Sequence, residues 1–345
     1  MNIVFVGYAV PGSRTRQRIA AFRDLGHSVD LIDTAPQGRT YEAAPGIARR
    51  IRHRLRRPAD ETGANRRLRE RGRTADLIWL DNAGVVRPET LAAVGRGDGP
   101  KTVWYSEDDL MRPQNETAWF GRCLPLFDLC VTTKSFNADP RELPARGARR
   151  VLFTNNAFSP EIHRPVPADD DARRRLGAAI SFIGSYEAPR ARSLLALARA
   201  GLTVRVWGNG WDRLAGAHDR LRVEGRPLYD DDYARAVAAT DVNLCFLRKA
   251  NRDRQTTRSI ELPACGAFML HEYSDEMAAL LDPDREAAYF ADDEELVAAC
   301  RRWIADPDGR RAVADAGYRK VHAAGLRHRD VLERALAAAF ASPGS

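Results

Sequence analysis

The sequence predicts an α/β protein of two units, each built on a parallel sheet with helices on both faces. Three observations predict it. Short apolar runs rich in β-branched and aromatic residues alternate with amphipathic stretches through the first 155 residues. That rhythm breaks over 155–175, where Pro160, Pro165 and Pro167 precede the acidic run Asp169-Asp170-Asp171. The alternation then begins again, and 345 residues suit about two domains of ordinary size.

In the first half the strand expectations are Ile3–Val6, Ser28–Ile32, Asp76–Leu80, Thr102–Tyr105, Leu129–Thr132 and Arg150–Phe153. The first helix, about Thr15–Leu25, stops at Gly26-His27, a helix-ending signal. In the second half they are Ile180–Ile183, Thr203–Trp207, Val242–Phe246, Phe268–Leu270 and Ala288–Phe290. Helical patterns fall at about Arg190–Ala200, Asp231–Ala239, Glu294–Ala305, Pro307–Ala324 and Arg329–Phe340. In open α/β sheets, ligands sit beyond the carboxyl ends of the strands. Two facing sheets of this kind place a site in the cleft between them.

Composition narrows the function classes. No run of 18 apolar residues occurs, so no membrane-spanning helix is expected. The start Met1-Asn2-Ile3-Val4-Phe5-Val6-Gly7 reads as a strand rather than a signal peptide. Five scattered cysteines without CxxC spacing fit reduced thiols, a cytoplasmic location and no zinc. The net charge of +7 is local: residues 47–73 carry eleven arginines against Asp60, Glu61 and Glu70. The rest of the chain is near neutral, and no aromatic residues interleave with these arginines, so nucleic acid is not an expected partner. The segment is either solvated surface or a contact for an anionic acceptor or membrane surface. Pro58 and Gly63 divide it, so it is not one continuous amphipathic helix.

The most informative stretch is Thr256-Thr257-Arg258-Ser259-Ile260-Glu261-Leu262-Pro263-Ala264-Cys265-Gly266. On a helix, Arg258 and Glu261 share a face at i, i+3. Arg258 and a helix dipole suit a diphosphate, and the Glu261 carboxylate suits ribose hydroxyls. An intrahelical ion pair on a solvated face is the other reading. Several further loops end strands of the same half. Gly184 and Ser185, followed by Arg190 and Arg192, offer a phosphate turn or a plain βα turn. Trp207, Gly208 and Asn209 offer a wall for a nucleobase or a bare turn. Arg248 and Lys249 offer diphosphate neutralisation or solvated surface.

In the first half, the loop with Gly12, Ser13 and Arg16 holds a sugar or phosphate, or simply caps a helix. Asp108 and Asp109, after Ser106-Glu107 at a strand end, offer a catalytic base or a solvated turn. No GxSxG, HExxH, P-loop or GxGxxG is present. The seven histidines lack ligand spacing, no metal is expected, and His163 reads as structural.

These motifs resemble the CgeB-like group of GT-B glycosyltransferases, related to the large family of retaining GT-B enzymes. The resemblance rests most on Thr257–Gly266 and on Pro160-Glu161-Ile162-His163-Arg164-Pro165. It is supported by Phe182-Ile183-Gly184-Ser185-Tyr186, Pro11-Gly12-Ser13, Leu25-Gly26-His27-Ser28-Val29 and Val131-Thr132-Thr133-Lys134-Ser135. It implies a GT-B fold, with two Rossmann-like domains facing a central cleft. Residues 1–155 would bind the acceptor and 156–325 the nucleotide sugar, with a last helix, about 326–345, packing back on the first domain. It implies transfer of a sugar from a nucleotide sugar to an acceptor without metal or other cofactor. Glu261 falls at the second glutamate of the relatives' E-x7-E pair, the ribose ligand, and the first position is Asp253 here. Where relatives often carry a histidine, this chain has Ser106-Glu107-Asp108-Asp109. Two other readings are a nucleotide-sugar epimerase on the same fold and a non-catalytic, coat-associated protein with a degenerate donor site.

Overall fold

The computed structural model describes residues 1–43, 46–95 and 99–341. The end of the expected last helix, 342–345, lies outside the described residues. The chain divides into two compact units, Met1–Asn155 with His328 onward, and Asn156–Arg327.

The first unit holds six strands: β1 (Asn2–Gly7), β2 (Ser28–Asp33), β3 (Leu77–Asp81), β4 (Lys101–Ser106), β5 (Leu129–Thr132) and β6 (Val151–Phe153). They form one parallel sheet in the order β2-β1-β3-β4-β5-β6. The period of two explains the layers. Val4, Val6, Ile78, Leu80 and Trp104 pack with Leu68, Leu91 and Phe120. Phe5, Leu77, Trp79, Val103 and Tyr105 pack with Ile19, Phe22, Leu332 and Leu336. Leu332 and Leu336 come from the helix His328–Phe340, whose Ala338 carbonyl, with that of Ala341 just past its end, accepts from the Arg150 guanidinium.

The second unit holds β7 (Ala178–Ile183), β8 (Val204–Trp207), β9 (Leu221–Val223), β10 (Thr240–Cys245), β11 (Met269–Glu272) and β12 (Ala288–Phe290). These form a parallel sheet in the order β12-β11-β10-β7-β8-β9. One face packs Ile180, Phe182, Val206 and Leu244 against Leu194, Leu197, Leu296 and Trp303. The other packs Ile183, Trp207, Cys245 and Met269 against Tyr233, Val237, Ile260 and Leu262. The sequence does not announce β9, because Leu221-Arg222-Val223 holds two apolar residues set among charged Asp219, Arg220, Arg222 and Glu224.

The arginine-rich segment is not uniformly solvated. It forms two short helices, Ile47–Arg54 and Ala64–Arg71. The second buries Ala64, Asn65 and Leu68, while the first buries none of its residues. Among the described residues, no helix is long and apolar enough to cross a membrane.

Candidate functional site

In the second unit, the ends of β7, β8, β10 and β11 bring their loops to one sheet edge. Register fixes this, since Ile183 pairs with Trp207 and Cys245 with His271. The β7 and β8 loops are pressed together. Gly184 N–H donates to the Trp207 carbonyl at 2.9 Å, and Trp211 Nε1 donates to the Gly184 carbonyl at 2.7 Å. Gly208 has φ +138, and a Cβ there would stand 2.0 Å from the Gly184 oxygen. Only glycine permits that approach. Ser185 stays exposed beside this junction, and the Asn209 carbonyl accepts from Tyr186 N–H at 2.9 Å.

Trp207 is not placed as the sequence suggests. Its indole is fully buried in the core, with the Arg205 guanidinium 4.7 Å from the ring centre. It is the last in-register residue of β8, so its side chain belongs to the sheet face rather than to the loop that follows. It does not wall an open base pocket.

Four cations gather around these loops. Arg248 Nε lies 2.8 Å from Glu187 Oε1, and Arg190 lies 3.7 Å from the same carboxylate. Lys249 Nζ lies 2.6 Å from Glu272 Oε1. Arg258 has no ion pair among the described residues, and the Nε atoms of both Arg190 and Arg258 are buried without a hydrogen-bond partner. Burial, and then the neighbouring Arg258 and Arg248 charges, push the Arg190 guanidinium below its ordinary range, against the pull of Glu187. A buried N–H without a partner is costly, and a buried guanidinium more so. The cluster therefore has the donors and the surplus positive charge to receive an anion.

The helix Arg258–Ala264 does not pair its own arginine and glutamate. Glu261, 5% exposed, accepts from Tyr233 Oη at 3.4 Å and lies 3.7 Å from His163 Nε2. Ser159 N–H donates to His163 Nδ1 at 3.0 Å, so the neutral imidazole carries its proton on Nε2, toward Glu261. The solvated ion-pair reading of Arg258 and Glu261 is thereby removed. Thr257 precedes the helix, and its carbonyl accepts from Glu261 N–H at 2.9 Å. Asp253 accepts from Asn251 Nδ2 at 2.7 Å and holds the turn around Arg252, which has φ +47. Behind the helix, Ser259 Oγ and His271 Nε2 are 2.7 Å apart.

In the first unit, the predicted loop residues serve the loop itself. Gly12 supplies φ +72, Ser13 Oγ accepts from Arg16 N–H at 3.4 Å, and Arg16 Nε donates to the Ala9 carbonyl at 2.7 Å. Asp108 is partly exposed and accepts from Asn82 Nδ2 at 3.3 Å. Asp109 is not the open acid that the sequence suggests. It is fully buried and accepts from Met111 N–H at 3.0 Å and Asn137 Nδ2 at 2.9 Å, which makes it a clamp between loops rather than a base.

A charged cluster that sequence reasoning missed lies at the carboxyl ends of β1, β3 and β4. Arg18 Nη2 and Nε bind Asp81 at 2.8 and 3.2 Å, and Arg18 Nη1 binds Glu107 at 2.8 Å. Arg14 Nε also binds Glu107, and Thr15 Oγ1 donates to Asp81 at 2.7 Å. The Tyr105 ring lies under Arg18 at 4.5 Å. Burial alone would raise the Glu107 carboxyl, but Arg14 and Arg18 pull it down to about 2. Burial pushes Asp81 up, against the pull of Arg18 and Thr15. The available signal was Arg18 itself, a cation among Thr15, Ile19 and Phe22 on the buried stripe of its helix. Among the described residues, no group of His, Cys, Asp or Glu is placed to hold a metal.

Comparison with known proteins agrees with this architecture. Residues 190–337 match the model of the glycosyl transferase-like family. No curated protein matches by sequence. Among solved structures, sucrose-phosphate synthase from Thermosynechococcus elongatus superposes with a TM-score of 0.69 at 14% identity, over 97% of this chain and 98% of that one. Anabaena HepE in complex with UDP-glucose gives 0.66 at 13% identity, over 98% and 99%. The α,α-trehalose 6-phosphate synthase of Burkholderia multivorans gives 0.64 at 12% identity, over 98% and 97%. The chain has the GT-B fold of two Rossmann-like units, and its second unit carries most of the family match.

Proposed function

We propose that this protein is a glycosyltransferase that moves a hexosyl group from a nucleotide sugar to an acceptor hydroxyl. The observation that carries the reading is the cation cluster of the second unit, with the partnerless buried Nε atoms of Arg190 and Arg258. A nucleoside diphosphate supplies the missing acceptors and charge. Arg258, Arg190 and Arg248 bind the diphosphate, with Lys249 at its edge. Glu261, oriented by Tyr233 and His163, accepts from the ribose. Thr257, Ser185 and the Gly184–Gly208 junction border the nucleoside, and Asn209 lies beside them.

As the glycosyl bond breaks, negative charge grows on the departing diphosphate. Fixed guanidinium donors stabilise that charge more than the ground state, without metal or cofactor. On the acceptor side, Asp108 is the carboxylate proposed to meet the hydroxyl. The loop of Gly12, Ser13 and Arg16 shapes that side, and Arg18 and Glu107 hold it in place. The reading includes membership of the CgeB-like group. It also places the protein in the cytoplasm, which suits five buried free thiols.

Turnover tests the reading. The protein is incubated with UDP-, GDP- and dTDP-sugars, with and without polyol or glycan acceptors, and nucleoside diphosphate release is followed. Release that rises with an acceptor is expected. Conversion of the sugar without release would identify an epimerase. No consumption of any donor would leave a non-catalytic role.

A further inference from the structure

The helix Ile47–Arg54 is out of keeping with the rest of the fold. A surface helix ordinarily buries an apolar stripe, and an isolated helix of eight residues is marginal in water. This helix has a stripe and leaves it outside. Ile47, Ile51 and Leu55, each four residues from the next, are 69%, 55% and 60% exposed. The helix is nevertheless held at both ends. Arg49 lies over the Tyr8 ring at 5.7 Å. Just past the helix, the Arg56 carbonyl accepts from Ala118 N–H at 2.8 Å, and its guanidinium lies 3.2 Å from Glu116. The first unit thus anchors the helix and presents its aliphatic stripe outward.

The charge around the stripe indicates what covers it. Residues 46–57 carry Arg49, Arg50, Arg52, Arg54, Arg56 and Arg57, and no acidic residue. The adjacent basic helix, Ala64–Arg71, is an internal contrast. It buries Leu68 and directs Arg67 to the Asp33 carbonyl, Arg71 to Asp30 and Arg66 to Glu70. Three of its four arginines are used within the unit. Those of the first helix surround bare aliphatic side chains, with no Phe, Tyr or Trp in the helix for a base to stack on.

We propose that Ile47–Leu55 is a docking helix for an anionic lipid bilayer. Ile47, Ile51 and Leu55 enter the boundary between headgroups and acyl chains. The flanking arginines extend to lipid phosphates, their stems lying along the apolar surface. The contact needs no sugar nucleotide, so it stands or falls apart from the proposed transfer reaction.

Co-sedimentation of the full chain with vesicles tests it, using phosphatidylcholine alone and phosphatidylcholine with phosphatidylglycerol, at low salt and near physiological ionic strength. Binding to the anionic vesicles only is expected, weakening as salt shortens the screening length. The double variant Ile47→Ser/Ile51→Ser should lower vesicle affinity at least tenfold with unchanged circular dichroism. Arg50→Glu/Arg54→Glu should abolish binding, and Arg69→Glu on the second helix should change it less than threefold. Three outcomes would overturn the proposal. One is no binding to anionic vesicles at low salt. Another is binding that survives loss of both isoleucines. The third is capture of an RNA oligomer by a protein that ignores vesicles.

Discussion

The two units collect charge at the carboxyl ends of their strands in opposite ways. In the first, Arg14 and Arg18 are matched by Asp81 and Glu107 at hydrogen-bond distance, and the cluster neutralises itself. In the second, Arg190 and Arg248 lie beside Glu187 and Lys249 beside Glu272, and among the described residues the Nε atoms of Arg190 and Arg258 are buried without acceptors. A closed network has its full use in holding loops in place. An open one has donors that a ligand could satisfy. Strand-end charge by itself does not mark a binding site; on the proposed reading, uncompensated charge does.

The sharpest way to break this contrast is to open the closed cluster. Arg18→Met leaves two carboxylates without their shared cation, with side chains 2% and 16% exposed. Removing one partner of a buried pair costs about 3–5 kcal/mol, so urea denaturation should show a loss of that size. A loss below about 1 kcal/mol, the worth of a surface pair, would mean that the cluster is not a structural unit.

Acid provides a second route. The Glu107 carboxyl has a folded-state value near 2, below its ordinary 4.5. A lowered carboxyl contributes stability that is complete above the ordinary value and is lost as pH falls toward the folded one. Wild type should therefore lose stability between about pH 4.5 and 2 more steeply than Glu107→Gln, and the two curves should converge at the acid end. Parallel curves would show that the arginines do not hold Glu107 ionised.

A smaller effect is expected at the open site. Glu261→Gln keeps the shape beside Tyr233 and His163 but removes the charge. Nucleotide affinity should fall about 2- to 10-fold, the worth of one hydrogen bond, with little change in melting temperature. A change in melting temperature without a change in affinity would make Glu261 a core group of the unit.

How much of this the sequence shows depends on distance along the chain. Strands β5 and β12 fall on their expected residues, because local alternation determines them. The gathering of the β7, β8 and β10 loops at one sheet edge is legible for a similar reason, since each follows a strand directly. Side-chain direction at a strand's last residue was not legible, and so Trp207 was expected to border a base although it is buried in the core. Pairings across 63 and 89 residues, Arg18 to Asp81 and Arg18 to Glu107, carry no local signature. The same holds for His163, whose contact with Glu261 depends on how the linker folds onto the second unit's helix. Asp109 cannot be told from its neighbours in sequence, because three successive acids look alike there and differ in burial.

The central claim is that the second unit's surplus guanidinium donors are a diphosphate site, and Arg258 tests it most directly because among the described residues it has no ion pair to lose. Calorimetric titration of UDP, GDP and dTDP into wild type and Arg258→Met is the measurement. The account predicts saturable binding of at least one nucleotide, weakened about 10- to 100-fold in the variant, as for a lost hydrogen bond to a charged group, with stability unchanged or improved. Failure of all three nucleotides to bind at millimolar concentration, or equal affinity in the two proteins, would contradict it.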